Sequence, residues 1–327
     1  MKATSIPLFP NKKSKLLFFS VCILLIILPI WLHSYYLHFF IMIFFWAYLS
    51  QCWNIVGGFC GQLSLGHAAF FAIGAYTSSL LFVNTGLSPW IGLLAGGIVG
   101  TVASLLIGYL SFRYGLKGPY FALVTIAFAE LLRVLTLSVE FTKGPMGILI
   151  PLEQPNLVDF QFETKIPFYY IIFGFLLVIT LIARAIQCNK LGYYLLSIRE
   201  NEDAAEALGV DTLRYKLIGL SVSAFFTCLG GSYYAQYISY INPGETFGWH
   251  VSVEMILRTL VGGIGTVMGP WVGSFILGTL SEISRVFLGE LATGIHMVFY
   301  ATILIIVVLF FPRGAYPWLQ NKIRRST

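Results

Sequence analysis

Long runs of hydrophobic residues alternate with short polar or basic segments along the whole chain. An α-helix needs about 20 apolar residues to cross a bilayer. Runs of this kind predict membrane spans at residues 16–32, 37–56, 64–83, 89–112, 119–138, 167–186, 217–238, 251–268, 270–288 and 293–312. Because Gly269 and Pro270 divide the eighth run from the ninth, these two could instead form one broken or re-entrant element. The pattern predicts an all-α, polytopic transmembrane helix bundle of about 10 spans, within a range of 8–10.

The positions of lysine and arginine predict how this bundle is oriented. With both termini in the cytoplasm, the cytoplasmic segments hold 15 of the 20 lysine and arginine residues, whereas the outside loops hold only Lys143 and Lys165. Cytoplasmic loops of membrane proteins carry such an excess. We therefore expect a cytoplasmic N-terminal segment at 1–15, a transmembrane domain at 16–312 with a cytoplasmic loop at 187–216, and a basic cytoplasmic tail at 313–327.

Composition supports the membrane class and disfavours nucleic-acid binding. Hydrophobic residues make up 57% of the chain and charged residues only 10%, where a soluble domain carries about 25% charged residues. The net charge of +6 comes from residues at segment ends and not from one basic face, so no nucleic-acid partner is expected. The run at 16–32 is longer than a signal-peptide core and lacks a small-residue cleavage site, which indicates a retained first span.

The sequence shows no pattern typical of a metal, cofactor or nucleotide site. The five cysteines include no C-x-x-C pair, and the five histidines show no metal-ligand spacing. No phosphate loop of the G-x-x-x-x-G-K-[ST] type occurs. A nucleophile elbow is also missing, which disfavours an integral membrane enzyme. We expect no metal, no cofactor and no ATP site in the chain itself.

A glycine-rich stretch, GGFCGQLSLGHAAFFAIGAY, occupies residues 57–76. Glycine at this density weakens a regular helix, and irregular backbone at membrane depth survives only against protein or a water-filled cavity. Close helix packing would explain the small residues equally well. If the stretch instead lines or gates a translocation pathway, its candidate residues are Gly58, Gly61, Gln62, Ser64, Gly66 and His67.

A second glycine-rich stretch, GGIGTVMGPWVGS, occupies residues 262–274. Gly265, Gly269 and Gly273 recur every four residues, which suits close contact between helices. Pro270 favours a break because it has no backbone N–H, and carbonyls freed at a break could line a pathway. Gly263 and Gly265 are therefore further candidates for the pathway or gate.

The cytoplasmic loop contains a predicted short helix. Asn201 can cap its N-terminus, with acidic residues in the first turn, and Gly209 can end it. The alanines at 204, 205 and 207 leave a smooth face. A short capped helix that projects from a membrane domain could dock a soluble partner, although an ordinary solvated loop helix fits the pattern as well.

Three predicted spans carry an acid and a base close together, namely Glu130 with Arg133, Glu254 with Arg258, and Glu282 with Arg285. Spacings of three or four residues place both partners on one helix face. Pairing lowers the cost of a charge at mid-membrane, which is about 2.5–3.5 kcal/mol on insertion scales. The pairs could orient their helices, form a polar lining or gate, or bind a zwitterionic amino acid. The first two pairs are the stronger pathway candidates, since Glu282 could sit near an interface.

Taken together and in order, these stretches resemble one family, the permease subunits of branched-chain amino acid ABC importers. The resemblance covers roughly residues 40–312 and is nearer the LivM branch than the LivH branch. Residues 58–70 match the family's G-x-x-G-Q-x-S-x-G-H-A-x-F signature. The segment YFALVTIAFAELLR at 120–133 is similar to the LivM helix before its outside loop, and residues 262–273 are similar to the late G-G-x-G-T-x-x-G-P-x-x-G segment.

The cytoplasmic loop resembles the E-A-A-x-x-x-G motif through which importer permeases touch their ATPases. Asp203 stands in place of the glutamate, and the usual leucine-proline ending is missing. A second departure is Lys143, which follows Thr142 where the family has a Thr-Gly-Gly start. The resemblance implies an ATPase-coupling loop that includes Arg199, Glu200, Asp203, Ala204, Ala205 and Gly209.

The resemblance also implies a function and a set of partners. It implies a permease subunit of an ATP-driven ABC importer in the bacterial plasma (inner) membrane, translocating branched-chain or other apolar amino acids and not itself an enzyme. The implied partners are two ABC ATPase subunits, which bind the ATP, a second homologous LivH-like permease, and an extracytoplasmic substrate-binding protein. A urea or short-amide permease of the same family is an alternative. An ion-coupled secondary transporter that uses Glu130 or Glu254 is an alternative from another class.

Overall fold

The structure, a computed structural model, describes residues 20, 23–151, 155–288, 301, 302, 305 and 314–325. Of the predicted first span, residues 23–27 are helical and Leu28–Ile30 form a 3-10 helix. The predicted N-terminal segment at 1–15 lies outside the described residues, and so does most of the predicted last span at 293–312. The described part is a helix bundle with one two-stranded sheet, which confirms the all-α class.

Within the described residues the bundle has eight helices of 14 or more residues, with several shorter elements between them. In chain order the elements are α1 (Ser34–Asn54, continued by a π-helix at Ile55–Phe59), α2 (His67–Thr85), α3 (Pro89–Arg113), α4 (Pro119–Ser138), β1 (Ile148–Leu149), α5 (Ile166–Cys188), α6 (Lys190–Glu200), α7 (Glu202–Ala207), α8 (Thr212–Ile238), β2 (Tyr240–Ile241), α9 (Pro243–Thr246), α10 (Trp249–Gly262), α11 (Gly269–Leu288) and α12 (Ala315–Arg325).

Within the described residues, six helices are long and apolar enough to cross a membrane, which are α1 with its π-helix, α2, α3, α4, α5 and α8. Their positions match six of the predicted spans. Local chemistry explains several boundaries. Pro89 and Pro119 lie in the first turns of α3 and α4, where the missing N–H costs nothing. The Ser88 side chain accepts from the backbone N–H of Trp90, and Gly86 ends α2 with a positive φ of 66°.

The first glycine-rich stretch interrupts the helical pattern, as the sequence predicts. After α1 the backbone widens into the π-helix and then runs without regular structure until α2 begins at His67. The predicted span at 64–83 therefore starts three residues late, because residues 61–66 are not helical. A π-helical turn inside a longer helix often marks a functional position.

Small residues let the central helices approach closely. A Cβ atom on Gly74 of α2 would overlap the carbonyl of Cys228 on α8, and one on Gly231 of α8 would overlap the carbonyl of Phe71. The Sγ of Cys228 also donates to the carbonyl oxygen of Phe70 at 2.9 Å. α2, α3 and α8 therefore form the tightly packed centre of the bundle, which is the packing that small residues permit between membrane helices.

The region predicted as spans 251–268 and 270–288 is a helical hairpin of unequal arms. α10 has only 14 residues, which is about 21 Å of helix against a hydrocarbon core of about 30 Å. It stops at Gly262 because Gly263 and Gly265 adopt positive φ angles of 125° and 74°. The continuous span predicted at 251–268 is therefore wrong, and a short helix followed by a turn at 263–268 takes its place.

The two arms of this hairpin are in close contact. A Cβ atom on Gly262 would overlap the carbonyl of Gly269, and one on Gly273 would overlap the carbonyl of Arg258. Of the three glycines spaced four apart, Gly269 and Gly273 thus serve helix contact, as predicted, whereas Gly265 lies in the turn between the helices. At the other end of the bundle β1 pairs antiparallel with β2, which the sequence pattern did not indicate.

Candidate functional site

The two glycine-rich breaks are joined by one buried side chain, that of Asn54 at the end of α1. Its Nδ2 donates to the carbonyl oxygen of Thr266 at 2.9 Å, and its Oδ1 accepts from the backbone N–H of Gly265 at 2.9 Å. Asn54 is fully buried. Its amide therefore links the π-helical end of α1 to the turn between α10 and α11.

Arg199, in the last turn of α6, reaches the same place from the loop at 187–216, which the sequence predicts to be cytoplasmic. Its Nη1 donates to the carbonyl oxygen of Gly58 at 2.9 Å. A Cβ atom on Gly61 would lie 2.5 Å from Cγ of Arg199, and one on Gly265 would lie 2.5 Å from its Nη1. The arginine side chain therefore packs directly against the backbone of Gly58, Gly61 and Gly265. A side chain at Gly61 or Gly265 would collide with it. We call these residues, with Asn54, the Arg199 junction.

The short helix predicted in the cytoplasmic loop is confirmed as α7. The Oδ1 of Asn201 accepts from the backbone N–H of Ala204 at 3.0 Å, which is an N-cap. Gly209 has a φ of 83° just after the helix, and its N–H donates to the carbonyl oxygen of Glu206 at 2.8 Å. Ala205 is buried, whereas Asp203 and Ala204 are exposed. The exposed face of α7 is therefore free of bulky side chains near its start.

A buried ion pair fixes α7 to the start of α8. Nζ of Lys216 lies 2.5 Å from Oε1 of Glu202, and the two side chains are only 1% and 12% exposed. The same ammonium lies 4.7 Å from the ring centroid of Phe112. Sequence reasoning singled out neither Glu202 nor Lys216 as a site residue. An acid in the first turn of a capped helix was visible, but its partner 14 positions later was not.

A second, exposed ion pair joins α7 to the loop between α3 and α4. Nζ of Lys117 lies 2.6 Å from Oδ1 of Asp203 and 3.9 Å from Oε2 of Glu202. The hydrogen bond to Asp203 raises the pKa of Lys117, and the hydrogen bond from Lys117 lowers the pKa of Asp203. Both groups are therefore charged at neutral pH. Two ion pairs thus hold α7, the buried one of Glu202 with Lys216 and the exposed one of Asp203 with Lys117.

His67 and Ser64 lie in the packed interior of the bundle. Nδ1 of His67 is 2.9 Å from Oγ of Ser64, and its Nε2 is 2.8 Å from Oγ of Ser223. The Ser223 hydroxyl in turn donates to the carbonyl oxygen of Cys52 at 2.7 Å. These bonds join α1, α2 and α8, so they account for the buried imidazole as a structural group.

Gln62 and Gly66 also lie inside the bundle. Gln62 is 5% exposed. A Cβ atom on Gly66 would overlap the carbonyl of Thr125 on α4. That these residues and His67 line a pathway stays a prediction. Packing and hydrogen bonds inside the bundle account for Gly66 and His67, whereas the buried Oε1 of Gln62 has no hydrogen-bond partner among the described residues.

All three acid–base pairs form within their helices, but their surroundings differ. The Arg133–Glu130 pair, at 2.5 Å, lies on α4, the least buried of the six long helices, with side chains 31% and 55% exposed. The pair of Arg285 with Glu282 is 2.7 Å long, and the arginine is 58% exposed. Intrahelical pairing is therefore confirmed, and neither pair belongs to the Arg199 junction.

The third pair is buried on the α10 side of the bundle. Nη2 of Arg258 lies 2.9 Å from Oε2 of Glu254, and the arginine side chain is 6% exposed. The guanidinium also lies 5.0 Å from the ring centroid of Trp46 on α1. A cavity of about 180 Å³ borders this arginine, between α1 and α11. Within the described residues no cluster of three or more His, Cys, Asp or Glu side chains could hold a metal ion.

The chain is similar in sequence to known transport permeases. Residues 35–308 match the sequence profile of the family described as branched-chain amino acid transport system / permease component. The chain is 28% identical over 295 residues to the high-affinity branched-chain amino acid transport system permease protein LivM of Salmonella typhimurium, covering 83% of this chain and 67% of that protein. The LivM protein of Escherichia coli shows the same identity and coverage.

More distant relatives differ in the solutes that their names give. The nucleoside ABC transporter permease protein NupC of Lactococcus lactis is 24% identical over 240 residues, covering 69% of this chain and 74% of the relative. The LivH permease protein of Escherichia coli is 22% identical over 289 residues, covering 82% of this chain and 90% of the relative. No solved structure shows a significant match to this chain.

Proposed function

Because the chain belongs to the branched-chain amino acid transport system permease family, we propose that it is the translocating subunit of an ATP-driven importer for apolar amino acids. The coarser part of this assignment, a multi-pass ABC permease component, follows from the family and from the six apolar helices. The solute, the bacterial inner membrane and the direction of transport belong to the proposal.

The observation that carries the proposal is the hydrogen bond from Arg199 to Gly58. It joins the cytoplasmic loop, at the end of α6, to the π-helical break that follows α1. Asn54 extends the connection to the turn between α10 and α11. A displacement of α7 would therefore be transmitted to the π-helical break after α1 and to the turn between α10 and α11. These irregular segments are the parts of the bundle that can change backbone conformation most easily.

In the proposed mechanism the chain performs no bond chemistry. Two ATPase subunits bind α7 and close on ATP. Their closure favours one of two arrangements of the permease, and hydrolysis restores the other. The ion pair of Lys216 with Glu202 makes α7 and α8 move together, while Arg199 passes the displacement to α1 and α10.

The remaining partners follow from the family and from the proposed orientation. A second, LivH-like permease would complete the membrane core, and a binding protein would deliver the solute at the end where β1 pairs with β2. With α7 in the cytoplasm, the N- and C-termini are also cytoplasmic, as the distribution of lysine and arginine favours. The tail helix α12 packs near Gly263 through Pro317, on the same side as α7.

A bulky residue on the exposed face of α7 tests the proposal. Ala204→Trp should abolish uptake of radiolabelled L-leucine and release the ATPase subunits in a pull-down, while the variant still inserts at normal abundance. Gly174→Leu is the matched control, because a side chain at Gly174 of α5 meets no atom within 4 Å. Normal uptake by the Ala204→Trp variant would contradict the docking role of α7.

The energy source separates the proposal from an ion-coupled transporter. Uptake should persist when an uncoupler removes the proton motive force and should stop when cellular ATP is depleted. The opposite result would favour a carrier that uses a carboxylate such as Glu254 as its coupling site.

A further inference from the structure

The start of the tail helix α12 packs against the turn between α10 and α11. A Cβ atom on Gly314 would lie 2.3 Å from Cα of Gly263, and one on Gly263 would lie 2.8 Å from Cδ of Pro317. Ala315, the first residue of α12, is only 6% exposed. The helix is therefore fixed at its start to the turn that takes part in the Arg199 junction.

The same contacts place α12 at one end of the membrane spans. The turn that it touches packs against the end of the first described span, because a Cβ atom on Gly265 would lie 3.0 Å from the carbonyl oxygen of Gly58 in the π-helix. In the sequence, the predicted span at 293–312 ends two positions before Gly314. Two residues of chain cover at most about 7 Å. α12 therefore begins at the boundary between the hydrocarbon core and the lipid headgroups.

The exposed face of α12 combines apolar and cationic side chains. Trp318 is 48% exposed and Leu319 is 41% exposed. Lys322 is exposed as well, and its Nζ lies 5.1 Å from the ring centroid of Trp318. Residues three and four positions apart share a helix face. The headgroup region of a membrane favours this combination, because an indole ring sits at that depth and a lysine beside it can extend its ammonium towards the headgroups.

The charge of the tail has a single sign. Residues 313–327 include four basic residues and no aspartate or glutamate. Three of the four, Lys322, Arg324 and Arg325, belong to α12. Lys322 forms no ion pair with another described residue. Four or more basic residues beside a span or on an amphipathic helix are typical of segments that bind anionic lipids.

We infer that α12 lies on the surface of the membrane, with Trp318 and Leu319 among the headgroups and the basic residues of the helix on anionic phospholipids. A helix of this composition binds a bilayer through its apolar side chains and through attraction to anionic lipids. Because its start packs on the turn at 263–268, the lipid contact also holds that part of the Arg199 junction in place. The inference rests on the proposed function only for the side of the membrane, which would be the cytoplasmic one.

Fluorescence quenching by brominated lipids tests the inference on the full-length chain in nanodiscs. Two preparations contain the same mixture of phosphatidylglycerol and phosphatidylcholine, with bromine in the upper acyl chain of only the first lipid or only the second. The chain has seven tryptophans, so the signal of Trp318 is the difference between the wild type and Trp318→Phe. Brominated phosphatidylglycerol should quench this signal at least about twofold more than brominated phosphatidylcholine, since each basic residue near an anionic surface favours the contact.

Two results would overturn the inference. Equal quenching of Trp318 by the two lipids would remove the anionic lipid from it. No quenching of Trp318 by either lipid would show that α12 does not lie on the membrane. If the triple change Lys322→Gln/Arg324→Gln/Arg325→Gln then released the ATPase subunits in a pull-down, the exposed face of α12 would be a docking surface for an ATPase.

The same triple change assigns the lipid preference to α12, since it should abolish the difference between the two brominated lipids. The matched control removes an equal charge from exposed residues elsewhere and should leave the difference unchanged; it is Lys143→Gln/Lys190→Gln/Arg214→Gln. Each variant is measured beside its own Trp318→Phe counterpart, and unchanged quenching of the other tryptophans shows that the bundle is still inserted. A difference that survived the triple change would contradict the assignment.

The outcomes separate this surface from the proposed function, because quenching requires no transport. If Trp318 prefers anionic lipid but uptake does not depend on ATP, the importer assignment fails and the lipid contact stands. If uptake depends on ATP but Trp318 shows no preference, the importer assignment stands and the lipid contact is wrong.

Discussion

Lys216 and Glu202 form a buried ion pair, with Nζ 2.5 Å from Oε1, between the start of α8 and the start of α7. The carboxylate also lies 3.9 Å from Nζ of Lys117, but that lysine is far more exposed. Lys216 is thus the one partner of Glu202 that is shielded from water among the described residues. The pair gives α7 a fixed position without any contact from a partner subunit.

Lys216→Met is predicted to destabilise the protein, because it leaves a buried carboxylate without its partner. The free energy of unfolding should fall by about 3 kcal/mol, as for other buried pairs that lose one member. Thermal unfolding of the purified chain in detergent measures the change. Lys117→Met, which removes the exposed pair with Asp203 and the 3.9 Å contact with Glu202 but keeps the buried Lys216, is the matched control and should have a much smaller effect. A Lys216→Met variant as stable as the control would show that the ion pair holds nothing in place.

Arg199→Ala is predicted to separate ATP hydrolysis from transport. The change removes the donor to the Gly58 carbonyl but leaves α7 and its exposed face intact. ATPase subunits should still bind and hydrolyse ATP, while the number of solute molecules moved per ATP falls at least about tenfold, the effect of losing a charged hydrogen bond from one state. The ratio can be measured in proteoliposomes that contain the complete transporter.

Arg214→Ala is the control for this change, because Arg214 lies near the same loop at the start of α8, is exposed and contacts Asp211 through its backbone N–H. Its ratio of transport to hydrolysis should equal that of the wild type. A normal ratio in Arg199→Ala would remove the junction from the mechanism.

Gly265→Ala is predicted to have two effects. It strains the backbone at a positive φ, and it also disturbs the Arg199 junction. The φ of 74° alone costs alanine about 1–2 kcal/mol. The new methyl would also lie 2.5 Å from Nη1 of Arg199 and displace the arginine. Gly115→Ala separates the two effects, since Gly115 has a φ of 68° but no atom within 4 Å of its Cβ position. Only Gly265→Ala should uncouple transport from hydrolysis, and equal uncoupling in both variants would count against the contact.

The sequence predicted the six long helices because each one depends on a local run of apolar residues and local end signals. The cap at Asn201 and the positive φ at Gly209 were predictable for the same reason, since both lie within one short segment. The early end of α10 was not predictable, because the residues that follow Gly262 are apolar enough to continue a span. Its early end depends on how the glycines of the turn pack against Asn54 and Arg199.

The sequence also did not show that the two glycine-rich stretches and the loop at 187–216 meet at the Arg199 junction. Arg199 and Gly58 are 141 positions apart, and Asn54 and Gly265 are 211 positions apart. Hydrophobic periodicity describes which face of a helix is buried, but it does not show which loop reaches which helix end. The Glu202–Lys216 pair was missed because Lys216 resembled the other basic residues at the cytoplasmic ends of spans.

The contact of Lys117 with Asp203 is predicted to be independent of pH near neutrality. The pKa of Asp203 lies below its ordinary value of 3.8, so the contribution of this carboxylate is present above that pH and is lost as the pH falls further. The pKa of Lys117 lies above its ordinary value of 10.5, so its contribution is present below that pH and is lost as the pH rises further.

The uptake rate of Lys117→Met divided by that of the wild type should therefore stay constant between about pH 5 and pH 9. Uptake in proteoliposomes, with the internal buffer varied, gives this ratio. A step in the ratio near pH 6 or 7 would mean that another titratable group controls the position of α7.

His67→Ala is predicted to lower the amount of folded protein without changing what the remaining protein transports. The change leaves a cavity and takes away the partner of the Ser64 and Ser223 hydroxyls, which should cost about 2–4 kcal/mol. Uptake per molecule, normalised to membrane abundance, and its inhibition by a panel of amino acids measure the two effects separately. His67→Gln should recover part of the abundance, because its amide can still bond one of the serines. If His67 lines the pathway instead, the alanine variant should insert at normal abundance and show an altered order of inhibitors. The hydrogen bond to Ser223, which ties α2 to α8 across the centre of the bundle, and the bond to Ser64 just before α2 favour the structural outcome.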